Sequence, residues 1–127
     1  MPTIEISDIF DESLIAAGLR YGGVTLVARA VSRFIDWKVA GSPLPCPFSA
    51  DKLSGTRDDG TIFQRFRTLN LRHCHFDLRR ADPMIVYREF NGGDRILLLC
   101  VTDHPEMFGN EKGFWHKVKG LTRGRHL

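Results

Sequence analysis

A chain of 127 residues with 43% hydrophobic content holds enough apolar material for one packed domain and too little for two independent cores. Against 15 Asp and Glu, 18 Lys and Arg leave a net charge of +3 and a sequence pI near 9.0, a mild excess that points weakly to an anionic partner. Cys46, Cys74 and Cys100 are an odd number at wide spacing, which excludes a disulfide framework or a zinc knuckle and favours a reduced, cytoplasmic protein. No run approaches the about 18 apolar residues that span a bilayer. The opening Met-Pro-Thr-Ile-Glu-Ile lacks the charged and apolar regions of a secretion signal, so no membrane contact is expected.

In chain order, Asp11 or Ser7 is placed to cap a short helix over 12–19, which Tyr21-Gly22-Gly23 ends. From 24 to 40, Val27, Ala30, Val31, Phe34 and Trp37 recur at helical spacing, with Arg29, Ser32, Arg33 and Asp36 opposite, which predicts an amphipathic helix. The prolines of Gly41-Ser-Pro-Leu-Pro-Cys-Pro47 forbid its continuation, and turn-rich sequence follows as far as Gly60. Four strands are predicted, over 61–68, 71–78, 84–90 and 95–102, the last two joined by the hairpin turn Asn91-Gly92-Gly93-Asp94. Ile96 to Val101 is apolar on both faces, as in a central strand. The expectation is a single α+β domain over 1–127: a helical hairpin within about 7–40, packed on a mainly antiparallel sheet of four to five strands within about 61–104. A basic tail over 109–127 carries a net +4, read either as a solvated end or as a nucleic-acid contact.

Within Leu71-Arg72-His73-Cys74-His75-Phe76, strand alternation turns Cys74 and Phe76 toward a core and leaves His73 and His75 together on an accessible face. An imidazole, with an ordinary pKa of about 6.5, supplies both proton acceptor and proton donor at neutral pH. Guanidinium groups clamp phosphate oxygens in pairs, and Arg65, Arg67, Arg72 and Arg88 lie in neighbouring segments, so phosphodiester cleavage suits this composition. His75, His104 and Asp82 are the candidates for proton transfer. Two other readings remain open: a His-ligated metal-binding protein built on His73, His75 and His104, and a non-catalytic RNA- or protein-binding regulator.

The ordered set Arg72-His-Cys-His75, Asp82-Pro-Met-Ile-Val-Tyr87-Arg88 and Thr102-Asp-His104-Pro-Glu-Met-Phe108 resembles the RelE superfamily of toxin ribonucleases, in particular its YafQ branch. The likeness runs over residues 43–108. It implies a RelE-like α+β fold and a metal-independent endoribonuclease toxin of a toxin–antitoxin system that cleaves mRNA, on the ribosome, and inhibits translation. The partners implied are a cognate antitoxin, mRNA and the ribosome; no cofactor and no metal are implied. By position, His75, Asp82 and His104 match catalytic residues and Phe108 an aromatic that stacks on a base. Tyr87, His73 and Lys52 join Arg65, Arg67, Arg72 and Arg88 as candidate substrate contacts. Pro83-Met84 replaces the branch's tryptophan, and Asp51 or Lys52 stands where it carries a first-loop histidine. An antitoxin segment is expected on the stripe of the 24–40 helix and on the sheet edge.

Overall fold

A run such as Ile96 to Val101, apolar at every position, has to be covered on both faces, and the chain supplies a cover for each. The protein is described from a computed structural model for residues 2–41, 49–52, 71–76 and 83–122. In order these form β1 (Thr3–Ile6), α1 (Phe10–Arg20), α2 (Val24–Ala40), β2 (Ser49–Lys52), β3 (Leu71–His75), β4 (Met84–Phe90), β5 (Arg95–Thr102), α3 (His104–Gly109) and α4 (Glu111–Thr122). The strands make one five-stranded sheet in the order β1-β5-β4-β3-β2, with β1 parallel to β5 and every other pair antiparallel. The α+β class, the helical hairpin and the β4–β5 hairpin are as the sequence predicts. Between β4 and β5 the turn uses positive φ at Asn91, Gly92 and Gly93, which explains the residue types found there.

Four elements, β1, β2, α3 and α4, differ from the sequence expectation. Thr3-Ile4-Glu5-Ile6 is a strand, and Ser7 continues its pairing with N–H to Leu98 O and a side-chain bond to Leu99 O in place of capping α1, which has no side-chain cap. Residues 49–52, expected within linker and turn, pair with β3 as the fifth strand. The expected strand over 61–68 lies outside the described residues. Within the basic tail, Glu111–Thr122 is helix α4, whose Phe114 and Val118 are buried.

On one face of the sheet α1 and α2 close a core of Phe10, Ala17, Val27, Ala30, Val31 and Phe34 against Cys74, Phe76, Ile85, Tyr87, Ile96, Leu98 and Val101. The two helices meet closely at Gly18, where a Cβ would stand 2.5 Å from Val24 Cα. On the other face Met107, Phe114 and Val118 of α3 and α4 pack on Leu71, Met84, Val86, Phe90, Leu97, Leu99 and Cys100. A bulge shifts the alternation of β5 within this two-sided packing. Val86 pairs with Cys100 and Tyr87 with Leu98, so Leu99 is the extra residue and the facing of β5 switches there, sending Leu99 and Cys100 to one core and Val101 to the other.

Phe114 is 5% exposed, so Phe114→Ala should lower the unfolding free energy by about 3–5 kcal/mol in urea denaturation, the cost of truncating a core aromatic. A change below about 0.5 kcal/mol would make α4 a surface appendage.

Candidate active site

Strand parity divides the sequence-predicted residues between the two faces. In β3, Leu71, His73 and His75 point to the α3–α4 side, while Arg72 and Cys74 point to the α1–α2 side. His73 pairs with Val86 and His75 with Met84, and their rings meet edge to face with centroids 4.8 Å apart. Both are half-buried. Arg88 pairs with Leu71 and shares their face, its guanidinium 4.8 Å from the Phe90 ring. Tyr87 is a correction to the expected substrate contacts. Tyr87 is 0% exposed in the α1–α2 core, its ring 4.9 Å from Phe34, so no substrate reaches it. Arg72 pairs with Tyr87 and lies on that same face, away from the histidines.

The free end of this histidine face is built by β5. Thr102 pairs with Met84, which pairs with His75, so the end of β5 and His75 are two strand spacings apart, about 10 Å. One residue beyond Thr102 the chain turns into α3, which opens with His104 and whose Met107 is buried in the core of the same face. His75 and the backbone of His104 thus come to one end and one face of the sheet. Phe108 is on the same helix. Lys52 stands in β2 at the register position of Arg72, and Asp51 at that of His73. Asp82, Arg65 and Arg67 lie outside the described residues.

What fixes α3 is a group that the sequence reading passed over. Asp103 is 2% exposed and caps α3, accepting the Glu106 N–H at 2.6 Å, the Tyr21 hydroxyl at 2.6 Å and Arg20 Nε at 3.0 Å. Arg20 also lies 3.8 Å from Glu106, whose carboxylate accepts the Thr102 hydroxyl. The end of α1 is thereby bolted to the start of α3. Burial alone would raise the Asp103 carboxyl, but the hydrogen bonds from Tyr21 and the Glu106 N–H and the charge of Arg20 outweigh it, holding the pKa below the ordinary range. Burial first, then the bond and charge of Asp103, push the Tyr21 phenol up to about 12. The sequence signal was present: Asp103 followed by Pro105 and Glu106 is a helix-start signature. Cys74 and Cys100 stay out of the chemistry, since Cys74 is fully buried and burial raises the Cys100 thiol to about 12.

No family model and no curated protein matches the sequence. Solved structures do. A metal-bound toxin from Helicobacter pylori superimposes with a TM-score of 0.58 at 20% identity, over 85% of this chain and 100% of the other. A histidine-to-glutamine variant of YafQ from E. coli gives 0.57 at 14% identity, over 86% of this chain and 100% of its own. The chain has the RelE/YafQ-like toxin fold. In this RelE/YafQ-like frame the sheet end formed by His75, Thr102 and the start of α3 is one place where separated parts of the chain bring ionisable residues together. Among the described residues no helix is long and apolar enough to cross a membrane.

Asp103→Ala should cost about 2–3 kcal/mol at neutral pH, from a lost cap and a lost charge-assisted bond. Because the folded pKa is depressed, this contribution is present above the unfolded value of about 3.9 and is lost as pH falls through the folded value. Tyr21 has the opposite sign. Its raised pKa contributes below 10.0 and is lost as pH rises toward about 12, so the stability gap between wild type and Tyr21→Phe should close over that interval in alkaline denaturation series.

Proposed function

We propose that this protein is a metal-independent endoribonuclease toxin of a toxin–antitoxin pair, cytoplasmic, which cleaves mRNA on the ribosome and so inhibits translation. The observation that carries the reading is the meeting of His75 and the His104 backbone at one end of one sheet face, in a chain with the fold of toxin structures. One histidine takes the proton of the ribose 2′-hydroxyl. The freed oxygen attacks the adjacent phosphorus, the bond to the 5′-oxygen breaks, and the second histidine delivers a proton to that leaving oxygen. A 2′,3′-cyclic phosphate and a 5′-hydroxyl result. A pair of imidazoles suits both transfers at neutral pH.

Arg88, on the histidine face, and Arg65 and Arg67 are proposed to hold phosphate oxygens and to stabilise the charge that builds on phosphorus. His73, against the His75 ring, assists in substrate contact, Phe108 stacks on a base, Asp82 supports the acid–base pair and Lys52 adds positive potential. A cognate antitoxin is the protein partner.

One structural relative is described as metal-bound. Among the described residues no group of three or more His, Cys, Asp and Glu side chains is placed to hold an ion.

Expression of the intact chain should arrest growth and translation, and purified protein should leave 2′,3′-cyclic phosphate ends on RNA in the presence of EDTA. His75→Ala and His104→Ala should each reduce cleavage by about 100-fold or more, the range of a general acid or base, and relieve the arrest. Cleavage abolished by EDTA and restored by zinc would transfer the reading to a metal enzyme. RNA binding with no cleavage by wild type would leave a binding regulator.

A further inference from the structure

The helix that opens with His104 is too short to hold its own place. α3 runs over six residues, His104–Gly109, with a proline in its first turn, and a run that brief gains little from its own hydrogen bonds. Its seat is therefore set by its neighbours, at two points. Met107, 0% exposed, anchors it in the core of the histidine face. Asp103 anchors its start to α1.

That second anchor is a closed brace. Asp103 divides its oxygens between two helices: Oδ1 accepts the Glu106 N–H of α3 at 2.6 Å, and Oδ2 accepts the Tyr21 hydroxyl at 2.6 Å and Arg20 Nε at 3.0 Å. Both donors stand at the end of α1, Arg20 as its last residue and Tyr21 as its C-cap, 6% exposed. Earlier in the same helix the Ser13 hydroxyl accepts the Val101 N–H of β5 at 2.9 Å. The stretch from Val101 to Glu106 is thus tied to α1 near both ends, across the point where His104 begins its helix. A helix cap needs only the Glu106 bond. The two donors from α1 exceed that need, and they act on the residue next to a histidine that the acid–base reading employs.

We propose that Arg20 and Tyr21 are positioning residues for RNA cleavage: through Asp103 they hold the start of α3, and with it His104, in the place relative to His75 that the two proton transfers require. This rests on the ribonuclease reading and adds to it the end of α1, which the sequence offers only as core. An acid or base has to stand within hydrogen-bond reach of the proton it moves, so a small displacement of the α3 start is felt in the rate and not in RNA binding.

The test is single-turnover cleavage of an RNA oligonucleotide by the full chain, with protein saturating and the temperature below the thermal transition of every variant. Arg20→Gln/Tyr21→Phe removes both α1 donors and leaves the cap on α3. It should lower the maximal rate by about 10-fold or more, within the about 100-fold that a misplacement of about 1 Å can cost, at an unchanged half-saturating protein concentration. Arg20→Lys, which keeps a cation beside Asp103, should lose less than Arg20→Gln. In a His104→Ala background the double variant should cost nothing further, because nothing is left to position. The control is Lys38→Gln, which breaks a 2.6 Å ion pair to Glu89 between α2 and the hairpin end of β4; its rate should match wild type. A wild-type rate in the double variant, with His104→Ala impaired, would overturn the brace and leave the ribonuclease reading standing. A loss that persists in full on His104→Ala, or an equal loss in Lys38→Gln, would also overturn it, since general weakening of the fold would then be the cause. If the double variant does not fold, Arg20→Gln alone, which keeps the Tyr21 bond, carries the same comparisons. A wild type that binds RNA without cutting it would overturn both the brace and the reading it rests on.

Discussion

Six consecutive apolar residues in β5, Ile96 to Val101, cannot leave either face in water, and the arrangement of this chain follows from covering both. Each such side chain gains about 1.5–3 kcal/mol on burial, so losing one cover would expose a large share of the stability of a domain of this size. Both covers are helical: α1 and α2 on one side, α3 and α4 on the other. Alternation lets one strand serve both cores, and the bulge at Leu99 shifts that alternation by one residue.

This two-sided burial also decides where chemistry is possible. The middle of the sheet is closed on both faces, so polar groups are confined to its rim. His73 and His75 survive as half-buried side chains because β3 lies beside the closed β4–β5 pair and α4 covers its face only in part. The β5 strand delivers the start of α3 to the same end, and the carboxylate of Asp103, clamped by Arg20 and Tyr21, ties that start to α1. Tyr87, one residue from Arg88, falls on the other side of the sheet and becomes core. A single step in parity separates the two roles.

Strong periodicity made much of this readable. The 24–40 helix, both strands of the β4–β5 hairpin and the inward facing of Cys74 and Phe76 follow from apolar spacing and turn chemistry alone. Thr3–Ile6 and Ser49–Lys52 were not read, because a four-residue strand carries little pattern of its own and owes its pairing to the neighbour it meets. The tail was read for its charge, although Phe114, Val118 and Leu121 already mark an apolar stripe. The resemblance gives Tyr87 a functional role, whereas its place two residues from Ile85 on one strand face turns it into the α1–α2 core. The partnership of His75 with His104 was suggested by motif order, and only the pairing of Thr102 with Met84 and of Met84 with His75 gives it a spatial basis.

The central claim is that two histidines from separate elements divide acid and base at one sheet end. The pH dependence of single-turnover RNA cleavage tests it most directly. A wild-type profile should be bell-shaped, with limbs on either side of neutrality, because one imidazole must be neutral and the other protonated. The residual activity of His75→Ala should lack one limb and that of His104→Ala the other. A profile that keeps both limbs in either variant would contradict the account.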